Sequence, residues 1–323
     1  MSAWNDCAEA NIMEADILEQ SIADYDADIL DELLLDRTTR KNIRWCTDNY
    51  ASLGDGFAPS DEIMPSSITG IHGKVIQPRV SKGAEEQLRR TKGKAEVFTP
   101  SWVCNVQNNL VDEAWFKRKD IFNLSTSAGW KTNHKRIVFP EDKTWHDYIK
   151  DIRIEVSCGE APYLVSRYDT VSGEYIPVKH RIGLLDRKLR VAYENTQDES
   201  GWLKWAKKAF QSSYGYDLQG DNLLLARENL LYSFVEYMAE YFGHEPELKD
   251  MKCIARIVSW NIWQMDGITL TAPYSKQERE AVQIPLFGEE DESEQTVAIP
   301  CRIYDWSANR SIQFRSLLKN QGA

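Results

Sequence analysis

A chain of 323 residues with 42% hydrophobic content, 11 Trp, 14 Tyr and 10 Phe can bury the core of one large domain or two smaller ones, which excludes a disordered chain. No apolar run approaches the roughly 18–20 residues that span a bilayer, and the acidic start has no basic flank, so neither a membrane helix nor a signal peptide is expected. The net charge of −11 argues against nucleic acid until it is located: residues 1–36 hold eleven acids and no base, and the remainder balances at 39 of each.

In chain order, Ile17, Leu18, Ile22, Tyr25, Ile29, Leu30, Leu33 and Leu34 recur at helical spacing. They predict one amphipathic acidic helix over 12–36, within an N-terminal extension of 1–51. Its stripe needs a partner, either the body or another chain. Residues 52–83, rich in Gly, Pro and Ser, read as an extended connection. From Lys74 to Arg136 there are thirteen Lys and Arg against six acids. Within that stretch Arg89, Arg90, Lys92 and Lys94 are the candidates for DNA phosphate contacts, with a solvated surface as the alternative. The body, 84–275, alternates strand-like and helical runs, which predicts a layered α/β fold. A charged segment and a last strand-like run, Val297 to Trp306, make up 276–323.

Three segments carry chemistry by their order. Glu96-Val97-Phe98-Thr99-Pro100 precedes a helical run, Trp102 to Trp115. Arg153-Ile154-Glu155-Val156-Ser157-Cys158-Gly159-Glu160-Ala161-Pro162 reads as a strand, a tight turn and a helix start. Tyr214-Gly215-Tyr216-Asp217-Leu218-Gln219-Gly220 reads as a strand ending in an acid, then a helix over Leu224–Phe242. A strand-end acid before a helix is how doubly wound folds hold ribose hydroxyls, and a turn before a helix presents backbone N–H groups to an anion.

These segments, with Asn261-Ile262-Trp263-Gln264-Met265-Asp266-Gly267, resemble in order four motifs of the adenine-N6 DNA methyltransferases of restriction–modification systems, and especially proteins labelled restriction endonuclease subunit M. The likeness covers about residues 90–270. It implies a Rossmann-like class I methyltransferase sheet that binds S-adenosylmethionine. Phe98, Thr99 and Pro100 would then pack on the methionine end of the cofactor. Glu155, Cys158, Gly159 and Ala161 would form the loop beneath it. Asp217 would hold the ribose and Asp266 the adenine.

Two departures qualify the likeness. Ala161 and Pro162 stand where the family has a second glycine, which predicts a narrowed pocket. No Pro-Pro dipeptide occurs, so the Asn/Asp/Ser-Pro-Pro-Tyr/Phe loop that holds a flipped adenine is missing. Thr271-Ala272-Pro273-Tyr274 is the nearest string, with Tyr274 the one catalytic candidate and a plain turn the alternative. Only 57 residues follow Asp266, which predicts a sheet pared down at its C-terminal end. Catalysis or sequence recognition would then come from a specificity, restriction or other subunit, or the chain is a pseudoenzyme that binds DNA or a defence or replication partner as a regulator or anti-restriction protein.

Other readings are thinner. Gln283-Ile284-Pro285-Leu286-Phe287 resembles the peptide that bacterial proteins insert into the replicative sliding clamp, with Gln283, Leu286 and Phe287 as anchors. Cys158, between a strand and a predicted helix, is an alternative nucleophile. The six cysteines show no CxxC pair and the five histidines no ligand spacing, which predicts reduced thiols, no metal and a cytoplasmic protein. There is no P-loop.

Overall fold

The computed structural model describes residues 15–82, 99–127, 129–276 and 297–319. Asp26 splits the first apolar run in two. Its extended backbone ends helix α1 (Glu19–Tyr25), and its side chain accepts the Asp28 N–H to cap helix α2 (Ala27–Leu34). The single helix expected over 12–36 is therefore two short ones, because the N-cap bond draws Asp26 out of helical geometry. The stripe is not free for another chain either. Ile22, Ile29, Leu30, Leu33 and Leu34 are buried, α2 packs on helix α8 (Leu248–Asn261), and Lys252 pairs with Asp26 at 2.9 Å and Asp28 at 2.7 Å. Each fully buried aliphatic side chain contributes about 1.5–3 kcal/mol, so α2 is held by packing more than by these exposed ion pairs.

The glycine- and proline-rich segment 52–83 is not an extended connection where it is described. It turns through three-residue helical turns at Pro65–Ser67, Gly70–His72 and Arg79–Ser81, and buries Ile63, Ile68 and Ile76. Their spacing matches neither a strand nor a long helix, so only tertiary packing reveals them as core. One hydrophobic core runs from Ile17 to Ile262 across the boundaries expected at 51 and 83.

Helix α3 (Ser101–Phe116) follows Pro100 and is succeeded by an antiparallel pair, β1 (Asn123–Thr126) with β2 (Gly129–Thr132). Helix α4 (Trp145–Lys150) starts on a Thr144–Asp147 capping box. It leads into β3 (Arg153–Val156), the first strand of a three-stranded parallel sheet in the order β3-β4-β5, with β4 at Ser213–Asp217 and β5 at Ile262–Gln264. Parallel neighbours need crossover connections. Helices α5 (Leu184–Asn195) and α6 (Glu199–Gln211) make the first, and α7 (Gly220–Phe242) with α8 the second. The architecture is mixed α/β.

Helix α7 is buried from Gly220 to Met238 and ends on Gly243 at φ +75°, a conformation that glycine adopts without strain. It lies against β4 and β5. The opposite face of β4 and β5 is covered by a C-terminal hairpin, β6 (Arg302–Asp305) with β7 (Arg310–Gln313), ahead of a short helix, Arg315–Lys319. Tyr214, Tyr216, Trp263 and Ile303 are buried there, with Phe314 partly buried against them, and the Tyr214 hydroxyl donates to the Tyr304 carbonyl at 3.0 Å. The strand-like run expected from Val297 to Trp306 is thus half of a hairpin that never joins the parallel sheet. Among the described residues no helix is long and apolar enough to cross a membrane.

Candidate functional site

The carboxyl ends of β3 and β4 lie side by side and are laced together. After β3 the chain turns sharply, with Ser157 at φ +50° and Gly159 at φ +53°. The Cys158 N–H donates to the Tyr216 carbonyl at 2.9 Å, which holds the turn against β4. Asp217, the last residue of β4, accepts the Gly159 N–H through Oδ2 and the Gln219 N–H through Oδ1, both at 2.9 Å. One carboxylate therefore braces the turn after β3 and the approach to α7. Among the described residues, chain neighbours apart, no atom lies within 4 Å of the point where a side chain on Gly159 would begin.

Glu155 faces the other way. It is buried, and its carboxyl oxygens accept the N–H groups of Tyr163 at 3.3 Å and Leu164 at 3.1 Å. Burial, which raises its pKa, outweighs these long bonds, and the group is pushed up to about 8. Glu155 thus organises the chain after the turn and presents no carboxylate to the crevice. Cys158 is also buried, and burial, with Asp217 and Glu155 close by, pushes its thiol well above its ordinary value. A protonated, enclosed thiol is a poor nucleophile, which removes the alternative reading of Cys158.

The helix expected to begin in this loop does not form. Ala161 sits at φ +60°, only a single turn follows, and the next α-helix starts at Leu184. The Cys158 and Gly159 N–H groups of the turn are spent on Tyr216 and Asp217, and no helix N-terminus stands behind the turn. The N-terminus of α7 is closed too. The Gly220 N–H donates to the Trp45 carbonyl at 3.0 Å, and a Cβ at Gly220 would lie 2.1 Å from the Arg44 carbonyl oxygen. Gln264 holds that segment in place, accepting the Arg44 N–H at 2.8 Å and donating to the Arg44 carbonyl at 2.7 Å.

Ala161 does not narrow the crevice as expected, because its methyl group is fully buried in the core. What it costs is backbone strain, of about 1–2 kcal/mol for an alanine in the left-handed region. Ala192, equally buried in helix α5, has no such strain. Ala192→Gly loses a buried methyl and helix propensity, about 0.8 and 1 kcal/mol. Ala161→Gly loses the methyl but relieves the strain. Denaturant unfolding is expected to find Ala161→Gly milder than Ala192→Gly by at least about 1 kcal/mol.

The remaining candidates are placed unevenly. Thr99 and Pro100 lead into α3. The Thr99 carbonyl accepts the Thr170 hydroxyl at 3.1 Å, and the Ser101 N–H donates to Asp169 at 2.7 Å. Phe98 lies outside the described residues. Asp266, half-buried just past β5, spends Oδ1 on the N–H groups of Ile268 at 2.8 Å and Thr269 at 3.1 Å, closing a turn. Tyr274 is 56% exposed, at φ +53°. Arg89, Arg90, Lys92 and Lys94, and the clamp-like Gln283, Leu286 and Phe287, also lie outside the described residues. Of the described bases in that stretch, Lys82 is buried 3.7 Å from Asp221 and so is not available to phosphates.

Sequence reasoning missed two groups. Asp169 fixes the start of α3 with its bond to Ser101. It also walls a cavity of about 640 Å³ with Pro100, Trp102, Trp130, Tyr175 and His180. Glu160, one residue past Gly159, accepts the Arg79 N–H at 2.8 Å and the Tyr168 hydroxyl at 2.7 Å, tying the turn to the 52–83 segment. Asp169 belongs to no motif, and Glu160, though inside the first-loop segment, acts through a contact with Arg79 that is distant in sequence. Among the described residues no group of His, Cys, Asp and Glu could hold a metal ion. No protein-family model matches the chain, and no curated protein or solved structure matches it.

Proposed function

We propose that this chain binds S-adenosylmethionine at the carboxyl end of its parallel sheet. On this reading it works with DNA as an adenine-N6 methyltransferase-family subunit, in a cytoplasmic restriction–modification or phage-defence setting. The observation that carries the reading is the Asp217 bracket, which unites the two turns whose sequences resemble the family's first two cofactor motifs. The strands bearing the first, second and third motifs, β3, β4 and β5, are consecutive neighbours in one parallel sheet, the arrangement half of a Rossmann-like sheet would have.

The residues present fit the cofactor. The Ser157–Gly159 turn, whose Cys158 and Gly159 N–H groups are bonded within the fold, lies beside Asp217, which would meet the ribose hydroxyls, and Thr99 and Pro100 would flank the methionine end. Asp266 keeps Oδ2 for the adenine. When bound, S-adenosylmethionine supplies an activated methyl group. The chain's own residues hold and orient it: Asp217 fixes the spacing of the two turns, and Glu155 fixes the chain that follows the first. The exposed Tyr274 supplies no amide acceptor for an adenine amino group. Catalytic groups and the choice of DNA sequence therefore fall to a partner subunit, with Arg89, Arg90, Lys92 and Lys94 adding phosphate contacts and Gln283-Ile284-Pro285-Leu286-Phe287 a clamp-docking peptide.

A second reading, a pseudoenzyme that binds DNA or a defence or replication partner, is favoured by the sheet's ending at three strands. Thermal unfolding separates binding from non-binding. Ligand at about a hundredfold its dissociation constant adds about 2.7 kcal/mol to the folded state. S-adenosylmethionine is expected to raise the melting temperature by several degrees, and ATP to leave it unchanged. An equal response to both, or to neither, would count against the cofactor site.

A further inference from the structure

Among the described residues β3 is an edge strand of the parallel sheet. Ile152, Ile154 and Val156 alternate along one face with 69%, 44% and 61% of their surfaces exposed, while Glu155 between them is buried on the other. Parallel strands are normally covered on both faces, and exposed edges are normally blunted by proline, lysine or a bulge. None of these interrupts 152–156. The C-terminal hairpin covers the same face over Tyr214, Tyr216 and Trp263 but stops short of β3. Beside Ile152, a cavity of about 400 Å³ lined by Tyr214, Trp306, Lys150 and Lys208 continues the surface.

The main chain agrees with the side chains. The Arg153 N–H donates to the Ser212 carbonyl at 2.9 Å, and the register places Arg153 opposite Ser213 and Glu155 opposite Gly215. The amides of Arg153 and Glu155 therefore serve β4, and those of Ile152, Ile154 and Val156 point away from it. Among the described residues these outward groups have no hydrogen-bond partner.

We infer that a second copy of this chain pairs here, β3 against β3 in antiparallel sense about a twofold axis at Ile154. The edge is self-complementary in that register alone. Ile154 meets its own counterpart and exchanges both hydrogen bonds with it, and Ile152 meets Val156 on either side. Every apolar residue faces an apolar residue on one face. On the other, Arg153 stands opposite Glu155, so no like charges meet. A twofold interface uses the same patch on both subunits, as this one does. The pairing extends the sheet to six strands.

Light scattering on the full chain across a hundredfold range of concentration tests this. The expected mass is twice the 37.2 kDa of one chain, falling to a single chain in Ile154→Lys with an unchanged far-ultraviolet circular dichroism spectrum. Directly opposed residues lie about 5.5 Å apart between Cα atoms, so Ile154→Cys is expected to be captured as a covalent dimer by a short bis-maleimide. Its yield should be at least tenfold above that of wild type and of Ile268→Cys, a highly exposed position away from β3. The covalent test stands even if the lysine variant misfolds. A wild type that stays monomeric, a dimer that survives in a folded Ile154→Lys, or equal capture at 154 and 268 would overturn the proposal. A chain that is monomeric alone and gains mass only with a different protein overturns it as well.

Discussion

Glu236→Ala is expected to lower the free energy of unfolding by about 3–5 kcal/mol. Glu236 projects from α7 between two guanidinium groups. Arg167 donates to Oε1 from Nη2 at 2.8 Å and from Nε at 3.0 Å, and Arg181 pairs with Oε2. All three side chains are about 1% exposed or less. Burial alone would push the Glu236 carboxyl up, but the two arginines outweigh it and hold it below the usual carboxylate range. Removing it leaves two buried positive charges without their carboxylate, which is why the cost exceeds that of a surface ion pair. The loss also reaches the site, because residues 167 to 181 span the chain that walls the cavity beside Pro100. Urea unfolding at pH 7 checks this through the midpoint, with the slope unchanged. A loss under about 1 kcal/mol would mean that the arginines find other acceptors.

The second large effect is a fall in stability as pH rises. Glu155 is held at about 8 in the folded chain against an ordinary value of 4.5. Below the ordinary value, folded and unfolded states both carry the proton. Between the two values only the folded state keeps it, so stability falls by about 1.4 kcal/mol per pH unit, and it levels off above the folded value. From pH 5 to pH 8 this group alone is expected to remove about 3–4 kcal/mol. Burial pushes Glu19 and Glu228 well above the carboxylate range as well, and each adds to the same slope. Glu236 acts oppositely: its contribution is complete above the ordinary carboxylate value and is lost only as pH falls through its lowered one. Buried Lys188, pushed well below its ordinary value by burial, has the opposite slope, so the Glu155 contribution is isolated by substitution. Glu155→Gln cannot titrate, and its unfolding free energy is expected to fall by about 3–4 kcal/mol less than that of wild type over the same interval. Its amide accepts only one of the two N–H bonds, so it starts about 1–3 kcal/mol lower at pH 5. Parallel pH profiles for the two proteins would show that Glu155 is ionised in the fold.

What could be read in the amino-acid order was what local pattern controls. The strands at 153–156 and 213–217, the turn at Ser157–Gly159, the strand-end Asp217 and the helices at 101–116 and 220–242 follow from apolar runs bounded by Gly and Asp. The break at Asp26 was hidden because its neighbours keep helical spacing, and a single N-cap bond decides the matter. The core role of Ile63, Ile68 and Ile76 was hidden because their packing partners lie far along the chain. At the site, the pairing of Asp217 with Gly159 joins residues 58 apart, and no spacing rule anticipates it. The inward turn of Glu155 is of the same kind, since it depends on the path of Tyr163 and Leu164. Ala161 was marked as a departure from glycine, but only the observed φ shows that its consequence is strain in the backbone and not obstruction of the crevice.

The most direct test of the cofactor site is calorimetric titration of the whole chain with S-adenosylmethionine, beside Asp217→Asn. An asparagine keeps one acceptor for the two turns but loses the charge and the paired oxygens that brace them. Saturable binding near one ligand per chain, weakened at least tenfold in the variant, is the expected result. The absence of saturable heat up to millimolar ligand, or affinity unchanged in Asp217→Asn, would contradict it.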